Sequence, residues 1–485
     1  MNTKENFLSR TQGIVASGED HALVSVPQNE RQSGAKLSLV PIGVNTALAV
    51  LAIGGFTVVL SGFWNALLAG LISMVVGFVL AKLMGNLSFK TGMSSTITSR
   101  YFGVGVKGSS IGGFIYAFML LGFLALENAL LYEGTILMFN LEDSIGMRIG
   151  IYGVLTIAWI LLAIFGLKLA LKASSIMTCV TIMICLYMIY QIFFINQVNF
   201  SEVINSTGIV PGSMWEKMLA SIALVGAIGG TTAMLTADIA RFCRTQKDVT
   251  ILALAGPITQ NIFVVLIGGL IVVGGMPQVI DYLMQRQAGL SPEEAAIAAG
   301  GFVMSNTGAF FVVLAGWVGF ITIYAAQAKA QAINAYAGSL ALVNLINALI
   351  QKKVSRVLMV VVGNILALLM ISAGILHQFT VWLASLGCMT FALTGVMIAD
   401  FYIVRKGQYH SSLMDQVENW NWAGVITLVS CASFSIWLMV VEKFSLSFFA
   451  GFFLTLAMYP VLRKILPQGT ATGYANQNVA LDIVE

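Results

Sequence analysis

Charge is scarce in this chain. Only 9% of its 485 residues are Asp, Glu, Lys or Arg, where a soluble domain carries roughly 25%, and that deficit excludes a water-soluble globular protein. Histidine is nearly missing as well: His21, His377 and His410 are scattered over tail and loops, which argues against a histidine-based metal or catalytic centre. The five cysteines, Cys179, Cys185, Cys243, Cys388 and Cys431, show no metal-ligand spacing and read as reduced packing residues. With no Ser-His-Asp set, Cys-His pair or metal-spaced cluster, neither an enzyme nor a resident cofactor is expected. The first 37 residues are polar and lack the apolar core and small-residue cleavage site of a signal peptide. What remains is hydrophobicity: 58% apolar residues and a mean hydropathy of +0.89 describe an integral membrane protein.

Runs of about 20 apolar residues mark membrane spans. Twelve are expected, at 38–60, 64–85, 111–137, 149–167, 174–195, 218–240, 251–275, 303–328, 356–376, 380–403, 424–442 and 445–462. With the N-terminus inside, the outer loops hold only Arg148, Lys217, Arg286 and Lys443, while nearly all other Lys and Arg fall on the inner side. This asymmetry places both termini in the cytoplasm of a multi-pass protein of the plasma (inner) membrane. It also accounts for the formal net charge of +4 without a nucleic-acid partner. The tails are 1–37 and 467–485, the membrane core 38–403, and 404–466 carries the last two spans.

The sixth segment and its end, 220–244, read ASIALVGAIGGTTAMLTADIARFCR. Gly226, Gly229 and Gly230 followed by Thr231 and Thr232 make a weak point near mid-membrane, because glycine costs up to about 1 kcal/mol in a helix interior. Such breaks free backbone groups to hold substrate or ion in transporters; close packing of small residues is the alternative. The first segment, with Pro41, Asn45, Thr46 and Gly54-Gly55, shows the same character. Two interrupted helices five segments apart point to inverted repeats, about 38–195 and 218–403, with the last two spans accessory.

Carboxylates inside the bilayer default to function, since insertion costs about 2.5–3.5 kcal/mol each. The third segment holds Glu127 and, nearer its outer end, Glu133. Glu127 follows Phe123 by one helical turn. A ring and a carboxylate on one face suit a flat, nitrogen-rich ligand: the ring stacks and the carboxylate accepts from amino or ring N–H groups. A structural glutamate bonded to a neighbouring helix is the other reading. On the eighth segment Gln327, Gln331 and Asn334 share a face, while Lys329 points elsewhere; it snorkels to the inner interface or, if buried, fills a cation site. Asp238 with Arg241, and Asp400 with Arg405, read as helix-end pairs or as a gate. The glycines of 90–110 have no preceding strand and no GK[ST], so this stretch is a basic loop with a short helix. Ser291 and Glu294 fit a capping box on an outer-loop helix, and Trp64, Trp215 and Trp420 fit interfacial belts.

Several separated motifs resemble one family. TADIARFCR (Thr236–Arg244) resembles the TADFxRF signature of cytosine permeases, and KTGMSSTITSRYFGVGVKGS their KTG…ARY…GVKGS loop. VPQNERQS and MIADFYIVRKG fit the wider nucleobase–cation symporter-1 family, the resemblance running from Val26 to Gly407. It implies an all-α LeuT-type fold of two inverted five-helix repeats. It also implies symport of a nucleobase or related heterocycle driven by Na⁺ or H⁺, the substrate lying between broken helices one and six and helices three and eight. By position Phe123 stands near the family's stacking aromatic, Glu127 where hydantoin carriers have glutamine, and Gln331 where an asparagine contacts substrate. Gly229 replaces a second aromatic, which implies a roomier pocket. Ala325 and Ala326 replace hydroxyl ligands of Na⁺-coupled relatives, which weakens a Na⁺ site and admits H⁺.

The resulting expectation is an importer of an amino-bearing nucleobase. Phe123, Glu127, Gln327, Gln331 and the backbone at Ala49, Val50, Gly229, Gly230 and Thr231 would hold the substrate. Asn45, Ala325, Ala326 and Lys329 would be the candidates at the coupling cation, and a monomer or weak homo-oligomer the working unit. Transport of another organic cation or vitamin precursor on the same fold is the alternative, and a non-transporting receptor or channel the alternative of another class.

Overall fold

A computed structural model describes residues 25–164, 166–209, 211–286, 289–352, 354–408 and 417–467, the side chains of 166–175 excepted. Most of the expected tails, with His21 and His410, and the His377 side chain lie outside this description. "Inner" and "outer" below follow the orientation expected from the sequence.

Among the described residues, ten helices are long and apolar enough to cross a membrane, and a bent pair makes an eleventh. The bent pair is span 1, Gly34–Asn45 with Leu48–Ser61, which meet at 66°. Then come span 2 (Phe63–Thr91), span 3 (Ser109–Met138), span 4 (Ile145–Ile164), span 5 (Ile176–Ile195), span 6 (Met214–Ala240), span 7 (Gln246–Arg286) and span 8 within Thr307–Ile350. Spans 10, 11 and 12 are Phe379–Val404, Trp422–Val440 and Ser447–Ile465. The expected ninth span is helical over Arg356–Ser372. Those 17 residues cover about 25 Å at 1.5 Å each, less than the roughly 30 Å hydrocarbon core, so helix length accounts for eleven crossings and one shorter apolar helix.

Span 3 is the most enclosed, with 89% of its apolar window buried against 17% for span 4. Span 3 therefore lies at the centre, packed along the Thr307–Ile350 helix, and span 4 faces outward. The eighth span runs further than its apolar pattern suggests. The outer helix Pro292–Ser305, with its Ser291–Glu294 capping box, is followed by Thr307–Ile350, which turns sharply at Gly316 (φ 51°, ψ −124°). Only a residue without Cβ adopts that torsion readily. The polar group Gln327 to Asn334 consequently lies in the middle of a buried helix, not at its inner end.

The two breaks differ. Span 1 opens at Thr46 (φ −97°, ψ 18°) and Ala47 (φ −66°, ψ 157°). Gly54 and Gly55 take no part in it: they are helical, and a Cβ on them would meet Val264 and Val272 of span 7. Span 6 is interrupted only at Ala227 and Ile228, both still in right-handed helical torsions, and is not among the helices bent by more than 40°. Its glycines serve close packing. A Cβ on Gly230 would lie 2.5 Å from Thr390 Oγ1 and one on Gly229 3.1 Å from the Phe391 ring, both on span 10.

The 90–110 stretch is not a surface loop. It does contain a short helix, Ser95–Tyr101, but all seven residues of that helix are buried. Arg100 donates through Nε to Asn344 Oδ1 at 2.8 Å and through Nη2 to Asn347 Oδ1 at 2.8 Å, fastening this segment to the inner half of span 8. At the presumed interfaces Trp64 and Trp215 are exposed, while Trp420 is half-buried and stacks on Trp422.

Candidate functional site

Where the break in span 1 faces spans 3, 6 and 8, a cavity is lined by Val44, Asn45, Val50, Met119, Leu120, Phe123, Glu127, Ile228, Thr231, Thr232, Leu235 and Asn334. Its volume is about 30 Å³, room for a water molecule or so and not for a heterocycle, so the lining must part to admit one. On the inner side Asp238 accepts the Ser95 N–H at 2.7 Å, and the fully buried Arg241 donates to Tyr336 Oη at 3.2 Å and to the Asp238 carbonyl at 3.1 Å. A separate 210 Å³ cavity on the outer side is lined by Glu133, Arg286 and Asn306 among others. Asp400 and Arg405 pair at 3.2 Å beside an inner cavity of 750 Å³.

Glu127 is 2% exposed and lines the cavity; its Oε2 accepts from Asn334 Nδ2 at 3.3 Å. This glutamate is thus bonded to a neighbouring helix, and its partner on span 8 lines the same cavity. Phe123, one turn earlier, packs edge-on against Trp382 (centroids 5.1 Å, 80°). Trp382 itself sits where a Cβ on Gly122 would come within 2.1 Å of its ring. Phe123 therefore keeps a flank for the cavity while Trp382 holds its other side. Val50 and Thr231 are present at the cavity as expected. Asn45 lines it too, its Nδ2 donating to the Gly256 carbonyl of span 7 at 2.9 Å.

Other residues expected at the substrate are placed elsewhere. Ala49 is buried and does not line the cavity. Gly229 and Gly230 face span 10, and Phe391 takes the room that the missing aromatic was expected to leave. Gln331 donates to the Leu124 carbonyl and to Asn128 Oδ1, each at 2.9 Å. Asn128 also accepts from Trp159 Nε1 at 2.7 Å, so this glutamine ties spans 3, 4 and 8 together. Gln327 Oε1 accepts the backbone N–H of Leu48 at 3.1 Å, one of the free donors at the start of a helix.

Lys329 does not snorkel. It is 0% exposed, and Nζ donates to Thr46 Oγ1 at 2.6 Å and to Thr181 Oγ1 at 3.2 Å. Ala325 and Ala326, one turn before it, are buried and carry no side-chain oxygen. Sequence reasoning did not single out Gln260, which accepts from Thr232 Oγ1 behind the cavity. Its signal was there: a Gln-Asn pair three residues beyond Pro257 in an otherwise apolar segment.

Residues 25–459 match the model of a family described as permeases for cytosine/purines, uracil, thiamine and allantoin. The chain belongs to that family. It is a multi-pass membrane transporter, not an enzyme, and no curated protein matches it by sequence search. Among solved structures it is similar to Mhp1, a nucleobase-cation-symport-1 family transporter, in a closed conformation with bromovinylhydantoin bound. Identity is 17%, TM-score 0.66, and 94% of this chain and 98% of that one are covered. A Na⁺-coupled sialic acid symporter in its outward-open state matches at 10% identity and TM-score 0.64, over 95% and 97%. A manganese transporter of Eremococcus coleocola matches at 14% and 0.51, over 91% and 97%. The fold is the LeuT type.

Proposed function

We propose that this permease imports an amino-bearing nucleobase, cytosine or a purine-like heterocycle, by symport with a cation. The observation that carries the reading is the buried pair Phe123 and Glu127 on one face of span 3, both lining the cavity at the break in span 1. The ring offers a stacking face. The carboxylate accepts from an exocyclic amine and an adjacent ring N–H, with Asn334 steadying it and backbone at Val50 and Thr231 closing the edge. Alternating access moves one helix bundle against the other about this point. The distribution of Lys and Arg supports both termini in the cytoplasm and residence in the plasma membrane; a monomer suffices for the mechanism.

In proteoliposomes, Glu127→Gln lowers uptake of cytosine and adenine about 10- to 100-fold, the worth of a hydrogen bond to a charged acceptor. Uracil uptake, which needs no amine reader, falls much less. Equal loss for all three bases would remove Glu127 from recognition.

A further inference from the structure

We propose that Lys329 is this transporter's built-in cation at the break of span 1, standing where a coupling Na⁺ would otherwise bind, so that transport is driven by protons. The inference rests on the reading of the chain as a symporter.

The residues around the break fit a Na⁺ ion poorly. Such an ion wants about six oxygen ligands by analogy with other hard cations, yet Ala325 and Ala326, one turn before Lys329 on span 8, are buried and carry no side-chain oxygen. One turn on, at the spacing that shares their face, comes the ammonium of Lys329. It hydrogen-bonds Thr46 Oγ1, inside the break, at 2.6 Å and Thr181 Oγ1, on span 5, at 3.2 Å. Thr46 in turn donates to the Ile42 carbonyl at 2.8 Å, at the end of the first half of span 1. A single ammonium thereby joins the break, and through Thr46 the first half of span 1, to spans 5 and 8. It already takes up the hydroxyl oxygens that an ion would use. The titratable groups that act on it are Glu127 on span 3 and Cys185 on span 5, one turn from Thr181; span 1 contributes only the Thr46 hydroxyl.

The coupling step balances simply. Protonated Lys329 holds the break in the arrangement that receives substrate. Protonated Lys329 crosses with the loaded carrier; loss of its proton to the inner side then leaves a neutral amine, weakens the bond to Thr46 and frees span 1 to return empty, and one proton from the outer side restores the ammonium. One H⁺ crosses per cycle and no metal ion is required.

The test has two arms. In detergent, the Tm of the purified full chain does not move when choline chloride is replaced by NaCl at fixed ionic strength; a Na⁺-dependent rise overturns the proposal whatever the substrate is. In proteoliposomes, a proton gradient drives cytosine accumulation, a protonophore abolishes it, and a Na⁺ gradient has no effect. Lys329→Met, with no ammonium to hold the break, loses proton-driven accumulation. Should that variant not fold, Lys329→Arg, whose charge is permanent, is expected to exchange cytosine but not concentrate it. Proton-driven accumulation by either variant overturns the proposal. Failure of the wild type to exchange any nucleobase is a failure of the substrate reading alone, and the Na⁺ arm still decides the role of Lys329.

Discussion

Gln327 of span 8 and Leu48 of span 1 are 279 residues apart, and the amide oxygen of one accepts the backbone N–H of the other at 3.1 Å. The second half of span 1 begins inside the protein, where its first N–H groups have no water to turn to. A side chain from another helix supplies one acceptor, and so fixes where the break falls.

Gln327→Met keeps length and removes the acceptor. Leaving a buried N–H unsatisfied costs about 1–3 kcal/mol, so the variant unfolds at lower temperature in detergent than the wild type. Gln327→Glu, which retains an acceptor at that position, is expected to restore part of the loss. Equal stability of Gln327→Met and wild type would show that the Leu48 N–H finds another partner.

Phe123→Ala removes the stacking face while leaving Glu127. Aromatic pairs contribute about 0.5–1.5 kcal/mol beyond burial, and tenfold in affinity is about 1.4 kcal/mol, so the Kd for cytosine rises up to about tenfold in titration calorimetry. Phe123→Tyr changes it much less. An unaltered Kd in the alanine variant would take the ring out of the binding site.

Gly230→Ala places a Cβ 2.5 Å from Thr390 Oγ1 and 3.0 Å from the Phe391 nitrogen. Overpacking of this kind costs about 1–3 kcal/mol, read as a fall in Tm. Adding Thr390→Ala removes the nearer obstacle but not the backbone one, so the double variant recovers part of the loss. Gly229→Ala, with 3.1 Å to the edge of Phe391, is the milder change.

On the outer loop before span 4, Asp143 accepts from Arg148 Nε at 2.8 Å and from Tyr132 Oη at 2.6 Å. These bonds, Arg148's foremost, hold its carboxyl down to about 2. The folded value lies below the unfolded one, so the stabilisation is fully present above the ordinary carboxylate range and is lost as pH falls through about 2. Asp143→Asn therefore melts slightly below wild type near neutrality, and the difference closes on acidification. The pair is exposed, which keeps the difference small. A gap that widened toward acid would contradict this sign.

Much of the architecture is legible in the sequence, because spans announce themselves as apolar runs and Pro41, Asn45 and Thr46 mark the opening of span 1. Glu127 is legible for a similar reason: a carboxylate amid leucines either meets a cavity or a partner, and here it meets both. Lys329 is not. Its polar neighbours Gln327, Gln331 and Asn334 lower the local hydropathy, so the pattern ends span 8 near residue 328, while the helix continues to Ile350. A lysine taken to lie at the rim is thus deep inside. The glycines of span 6 mislead in the opposite sense, since a small residue that lets another helix approach leaves the same mark as one that breaks its own. Which of the two applies depends on Thr390 and Phe391, some 160 residues further along, and no local pattern reports that. Gln331 shares the difficulty: its partners Leu124 and Asn128 lie on span 3, and polarity alone does not distinguish tying two helices from touching a ligand.

The contact at Gly230 bears on how the machine turns. With no side chain on Gly230, span 6 lies directly against the Thr390–Phe391 backbone of span 10, like meshed teeth without play. Rotation of one cannot be absorbed by rotamer changes at the seam and is handed on to its neighbour. A helix that lines no part of the cavity is thereby geared to the stroke that carries the cargo.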